Sequence, residues 1–197
     1  MLLVGGLAAL VSAALLARAG VYDWEIAVFQ AVNELPTAMQ PGVWVLNQYG
    51  TAVTIPALAL VAAVFRRWTL AVALAATGLG VYLLAKVMKE YVQRGRPAAL
   101  IEFVNDREVF AVGSLGFPSG HAAVAWAITV ILLPRVRRPL QVVALFLAIV
   151  VPFARLYVGA HLPLDLVGGA ALGVAAASTT NLILGVRTRD ASDVQAG

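Results

Sequence analysis

No cysteine occurs anywhere in the 197 residues. Disulfides, thiolate nucleophiles and cysteine-bound zinc or iron–sulfur clusters are therefore excluded together. Charge is scarce too: Asp, Glu, Lys and Arg make up 12% of the chain, against ~25% in an ordinary soluble domain. Histidine occurs only twice. What fills the chain instead is apolar, with 61% hydrophobic residues and a mean hydropathy of +0.89. So much apolar material must be buried or placed in lipid, which rules out disorder, collagen and a simple coiled coil. No repeat, linker or composition break divides the sequence. The length suits a single domain, 1–197.

Six stretches come close to the ~20 apolar residues that a helix needs to cross a bilayer core: 2–16, 43–65, 69–84, 122–133, 140–153 and 164–184. They are continuous runs rich in Ala and Leu, not alternating ones, so membrane strands are disfavoured. The expected fold is an all-α integral membrane bundle of six transmembrane helices. An amphipathic interfacial segment at 21–42 and a long outer connection at 86–118 complete it. Ala17-Arg18-Ala19 resembles a signal-peptide cleavage site, but no Lys or Arg precedes the apolar run. A retained first helix is expected on that ground.

The basic residues set an orientation. Arg66 and Arg67, then Arg135, Arg137 and Arg138, then Arg187 and Arg189 all fall on one side of a six-span chain. Short basic loops stay cytoplasmic, so both termini are expected there. Asp23, Glu25, Glu34, Glu90, Glu102, Asp106, Glu108 and Asp165 fall on the opposite side, leaving Asp190 and Asp193 inside. The net charge of +4 thus follows membrane topology and needs no nucleic acid. The tail 188–197 is polar and expected to be mobile.

Both histidines sit at expected outer ends of spans, where ionisable groups are expensive and mark function by default. His121 closes Pro118-Ser119-Gly120-His121. A serine N-cap, a glycine open to close approach and a helix start make a phosphate cradle. The same four residues also make an ordinary capped helix. His161 lies within Arg155-Leu156-Tyr157-Val158-Gly159-Ala160-His161-Leu162-Pro163-Leu164-Asp165. Pro163 suits a first helical turn, so Asp165 follows His161 by about one turn and can hold one ring nitrogen. The alternative is a lone ion pair that seals a helix end, since a buried Asp needs some partner. Lys89 and Arg96 are seven residues apart, two turns if one helix carries both. With Arg155 they form three cations suited to phosphate, or to anionic lipid heads.

Together the three blocks resemble the type 2 phosphatidic acid phosphatase (PAP2) family. Its pattern is Lys, six residues, Arg-Pro; then Pro-Ser-Gly-His; then Ser-Arg, five residues, His, three residues, Asp. Lys89 with Arg96-Pro97, then Pro118-Ser119-Gly120-His121, then Arg155, His161 and Asp165 match in order and spacing. The motif-bearing core covers about 69–184. One position departs: Ala154 stands where the family has serine.

The resemblance implies a PAP2-like helical bundle core and a metal-independent phosphatase with no cofactor. His161 would be the nucleophile forming a phosphohistidine, Asp165 its orienting partner, and His121 the acid that later activates water. Lys89, Arg96, Ser119, the Gly120 N–H and Arg155 would hold phosphoryl oxygens, since phosphoryl transfer needs positioning and fixed positive charge. The expected partners are a lipid phosphate substrate and membrane lipids, with no nucleic acid; the oligomeric state is open. An outward-facing site favours a C55-type polyprenyl diphosphate. Phosphatidic acid or phosphatidylglycerol phosphate is the alternative. Rival readings are a non-catalytic lipid-phosphate binding or transport protein and vanadium haloperoxidase chemistry.

Overall fold

The computed structural model describes residues 1–108 and 115–186. Arg187, Arg189, Asp190, Asp193, Gly113 and the tail 188–197 lie outside the described residues. The described residues form helices joined by turns, in agreement with the all-α expectation. They are α1 (Leu2–Ala19), α2 (Asp23–Asn33), α3 (Gln40–Asn47), α4 (Thr54–Val64), α5 (Trp68–Val92), α6 (Pro97–Leu100), α7 (Gly120–Leu132), α8 (Arg138–Tyr157) and α9 (Pro163–Ile183).

Four helices, α1, α5, α8 and α9, are long and apolar enough to cross a membrane. Their outward residues, such as Val4, Leu79, Tyr82, Phe146 and Ile149, are large, apolar and exposed, as lipid-facing surfaces are. The stretch 43–65, expected as one span, is instead a pair of helices bent by 62°; counted as one crossing it makes five. The bend brings backbone against backbone. A Cβ on Gly50 would stand 2.8 Å from the His121 carbonyl and 2.6 Å from Val151 Cγ1, so only glycine lets the bend press on the start of α7.

The fourth apolar run is the 13-residue α7, about 20 Å long at 1.5 Å per residue and short of a ~30 Å hydrocarbon core. Length fails because this helix does not face lipid. Ala122, Ala123, Ala125, Ala127, Ile128 and Ile131 are all fully buried, and a helix apolar all round belongs in a core. α7 packs most closely on α9, which also packs along α1. Small residues permit the approach, as in many membrane helix pairs.

Gly173 faces the Ala123 carbonyl so closely that a Cβ there would collide with main chain. Ala gains ~1 kcal/mol over Gly in a helix, but overpacking costs ~1–3 kcal/mol, and a backbone oxygen cannot rotate away. Gly173→Ala is therefore expected to lower the unfolding temperature in detergent. Gly80→Ala, with nothing within 4 Å of its Cβ, should leave it unchanged or raise it.

The basic turns meet at one end of the bundle, where Arg67 donates to the Arg135 carbonyl at 3.0 Å. The segment 21–42, expected as interfacial, contains α2 and the start of α3 and is more deeply engaged than that. Glu25, Phe29 and Asn33 recur every four residues on α2 and are 0%, 0% and 2% exposed. That stripe packs against α8 and α9, while Trp24 and Val28 stay exposed.

Candidate active site

Four helix ends converge opposite the basic turns, and the described residues 93–108 and 115–119 of the connection between α5 and α7 lie beside them. α5 stops at Val92 because Gln93 turns left-handed (φ 54°) and because Arg96 precedes a proline, which disfavours helix. Lys89 and Arg96 therefore do not share a helix face as the seven-residue spacing predicted. Gly95 instead pairs with Leu115 across an antiparallel bridge, and the Gly116 N–H donates to the Arg94 carbonyl at 2.7 Å. Lys89 Nζ donates to the Leu115 carbonyl at 2.8 Å. That bond ties the end of α5 to the strip leading into Pro118-Ser119-Gly120-His121.

Ser119 is the N-cap of α7 and is fully buried. Its N–H donates to the Asp165 carbonyl at 2.9 Å, while its hydroxyl accepts from the Ala122 N–H at 3.5 Å. α7 and α9 thus begin side by side. Gly120 opens α7, with nothing within 4 Å of where its Cβ would stand, so its backbone is open to a ligand. The His121 imidazole follows in the first turn, close enough to Arg155, His161 and Arg96 to interact electrostatically with all three.

Arg155 ends α8 and is 3% exposed; His161 is 3% exposed in the turn before α9. Asp165 lies one turn into α9, where Oδ2 accepts from the Leu162 N–H at 2.9 Å and stands 3.6 Å from His161 Nδ1. The Nδ1 atom has no other polar partner, so a few tenths of an ångström would complete the bond. Burial pushes the His161 imidazole down; Asp165 opposes this, and Arg155 and Arg96 reinforce it. The balance of these influences favours the neutral ring.

Three charged groups that the motifs did not single out complete the site. Glu108 bridges Arg96 and Arg155, one carboxylate oxygen to each guanidinium. Burial works to raise the Glu108 carboxyl, but Arg155 and Arg96 hold it below its ordinary value. Its loop is anchored by Arg107, which donates to the Asn33, Tyr157 and Leu35 carbonyls. Behind Asp165 lies a buried pair, Arg94 and Glu25. Glu25 had a readable signal, an acid on the apolar stripe it shares with Phe29 and Asn33. Glu108 had none, because only the folded loop brings it to the arginines.

All eight residues expected from sequence thus border one region: Lys89 and Arg96 beside its entry strip, Ser119, Gly120 and His121 at one helix start, and Arg155, His161 and Asp165 at the adjoining turn. The fold has known counterparts. The structure of LpxE from Aquifex aeolicus superposes with a TM-score of 0.73 at 22% identity, covering 81% of this chain and 95% of that one. A transmembrane PAP2 type phosphatidylglycerolphosphate phosphatase from Bacillus subtilis superposes at 0.71 and 22% identity, over 93% and 98%. In sequence, an undecaprenyl-diphosphatase from Sulfolobus acidocaldarius is 29% identical over 154 residues, 76% of this chain and 73% of that protein. The model of the PAP2 superfamily matches residues 66–189, well over half of the sequence. The chain therefore belongs to the PAP2 superfamily and is a multi-pass membrane phosphatase of that type.

Proposed function

We propose that this membrane phosphatase removes phosphate from a lipid through a phosphohistidine on His161, and that its substrate is a polyprenyl diphosphate. His161 Nε2 attacks phosphorus and the bond to the leaving oxygen breaks, with His121 supplying the proton. Water, deprotonated by His121, then cleaves the P–N bond, releasing inorganic phosphate and restoring the ring. Arg96, Arg155, Lys89, Ser119 and the Gly120 N–H receive the phosphoryl oxygens. The observation that carries this reading is the juxtaposition of a buried His161, backed by Asp165, with His121 and two guanidiniums.

The Glu108 bridge supports the anion site in particular. Two guanidiniums already grip a two-oxygen acid, the geometry that suits a phosphate. A substrate anion must displace that carboxylate. Glu108→Gln is therefore expected to tighten inhibition by inorganic phosphate about tenfold, about 1.4 kcal/mol, read from phosphate-inhibition constants. Weaker inhibition would mean that Glu108 serves to hold the arginines in place.

The polyprenyl reading draws on the name of the archaeal relative and on the basic turns. With those turns cytoplasmic, the site faces outward, the side on which a spent carrier diphosphate is left. Purified protein should release phosphate from a C55-type diphosphate with a higher kcat/KM than from phosphatidic acid or phosphatidylglycerol phosphate; the reverse order would replace the substrate but not the chemistry. Orientation is read by single-cysteine labelling, which the cysteine-free sequence makes clean. Asp106→Cys should react with an impermeant maleimide in intact cells and Arg137→Cys should not. The opposite pattern would put the site in the cytoplasm.

A further inference from the structure

Asp165 divides its oxygens between two duties. Oδ2 faces the Leu162 N–H and His161, while Oδ1 accepts from Arg94 Nη1 at 3.2 Å. Arg94 is not Asp165's alone. Its Nη2 lies 2.6 Å from Glu25 Oε2, its Nη1 lies 3.2 Å from Glu25 Oε1, and Nη2 also donates to the Gly20 carbonyl at 3.2 Å. Glu25, fully buried, accepts in addition from the Leu164 N–H at 3.0 Å, in the first turn of the helix that carries Asp165. One guanidinium and two carboxylates are thus sealed behind the reacting imidazole.

A buried ion cluster of this kind is weak evidence of stability. Desolvating each charge costs several kcal/mol, and apolar side chains of similar volume often serve as well. Its arrangement makes sense for the reaction. Were Asp165 the sole partner of Arg94, the guanidinium would neutralise the carboxylate that the imidazole needs when it becomes cationic. Glu25 takes the shorter bond and the larger share of Arg94, leaving one net negative charge behind His161.

We propose that Arg94 and Glu25 are positioning residues for the reaction: Arg94 fixes the Asp165 carboxylate by its Oδ1, and Glu25 limits how much of that cation's charge reaches the His161–Asp165 pair. The proposal rests on the reading of His161 as the nucleophile. Neither residue is placed among the phosphate-holding groups, so both act through Asp165.

The other charged and titratable groups that face the His161–Asp165 pair are Arg155 from α8, His121 from α7, Lys89 from α5, and Arg96 with its partner Glu108 from the long connection. The ion pairs of Glu108 with Arg96 and Arg155 and the bond from Lys89 to the Leu115 carbonyl involve neither the Arg94 nor the Glu25 side chain, so the pair's effect is expected to be separable. Arg94→Gln leaves two carboxylates behind the imidazole and favours its protonated form. Glu25→Gln leaves Arg94 to Asp165 alone and disfavours it. The acid limb of kcat/KM should therefore move up by about one pH unit in Arg94→Gln and down by about one in Glu25→Gln. In both, kcat should fall about tenfold or more while KM stays within about threefold. The double variant should return the limb to the wild-type position with kcat still low. Lysine at 94 keeps the charge but loses the bidentate grip, so Arg94→Lys should keep the limb and lose part of kcat.

Opposite limb shifts are the decisive readout, since a merely structural pair would lower the unfolding temperature and the active fraction without moving the limb. Limbs that coincide with wild type, or that move together, overturn the proposal. If either single variant fails to fold, the decision passes to the double variant and Arg94→Lys, where wild-type kcat in both overturns it. His161→Asn run alongside separates the two levels. If that variant still releases phosphate, the nucleophile assignment falls; if it is inactive while the limbs stay fixed, only the role of Arg94 and Glu25 falls.

Discussion

Replacing His161 with asparagine is expected to lower kcat for lipid phosphate hydrolysis by about 10⁴- to 10⁶-fold, the scale on which nucleophile removal acts in other covalent mechanisms. The effect is large because among the described residues no other side chain at the site can take the place of the ring. His121 belongs to a different helix start, and the remaining neighbours are cations or carboxylates already engaged. KM should change little, since the phosphate-holding arginines, Ser119 and Gly120 are untouched. The fold should survive: His161 Nδ1 makes no short hydrogen bond in the resting site, and Asp165 keeps its bonds to Leu162 and Arg94. The check is phosphate release at saturating substrate, with the unfolding temperature as control. Labelled substrate quenched into base should leave phosphate on the wild-type protein and none on the variant. Turnover within tenfold of wild type would remove His161 from the reaction.

His121→Gln is expected to cost about 10²- to 10⁴-fold in kcat, the usual contribution of a positioned general acid–base. Its signature differs from that of His161. A lipid alcohol or phosphate leaves poorly without a proton, whereas an aryl oxide leaves well without one. With an aryl phosphate, therefore, the first step of the variant should stay fast and the second slow, because His121 also activates the water. A burst of one equivalent of aryl alcohol per enzyme, followed by slow turnover, is the expected trace. Slow release with no burst would mean that His121 serves the first step by orienting phosphate, not by moving a proton.

These expectations were largely readable before folding. The two histidines, Asp165, Lys89, Arg96, Ser119, Gly120 and Arg155 stand in short blocks whose chemistry is local. A capped helix start, a proline-initiated helix and a basic turn each carry their own sequence signature. Ala154, which takes the place of the family's serine, is fully buried against Tyr157 and Val158 at the end of α8. Three features did not follow from local pattern. The apolar run at 43–65 has the length of a span but bends at Gly50, where backbone contact with His121 outweighs straightness. Lys89 and Arg96 keep a helical spacing that Gln93 and Pro97 break. The acids Glu25 and Glu108 read only as outer-side charges, and although the apolar stripe marks Glu25 as buried, local pattern names neither acid's arginine partner in or beside the site.

The sequence by itself determined the membrane class, the helical architecture and the candidate residues that the structure gathers at one end of the bundle. It did so because hydropathy acts over one helix length and because a capped or proline-initiated helix start fixes which nearby groups share its first turn. Only the tertiary structure decided how the charges are shared. Arg94 with Glu25 and Asp165, and Arg155 with Glu108, are pairings between segments far apart in the chain, and Arg96 meets the same Glu108 from within one connection. Their formation depends on desolvation and mutual distance, quantities that exist only once the helices have packed.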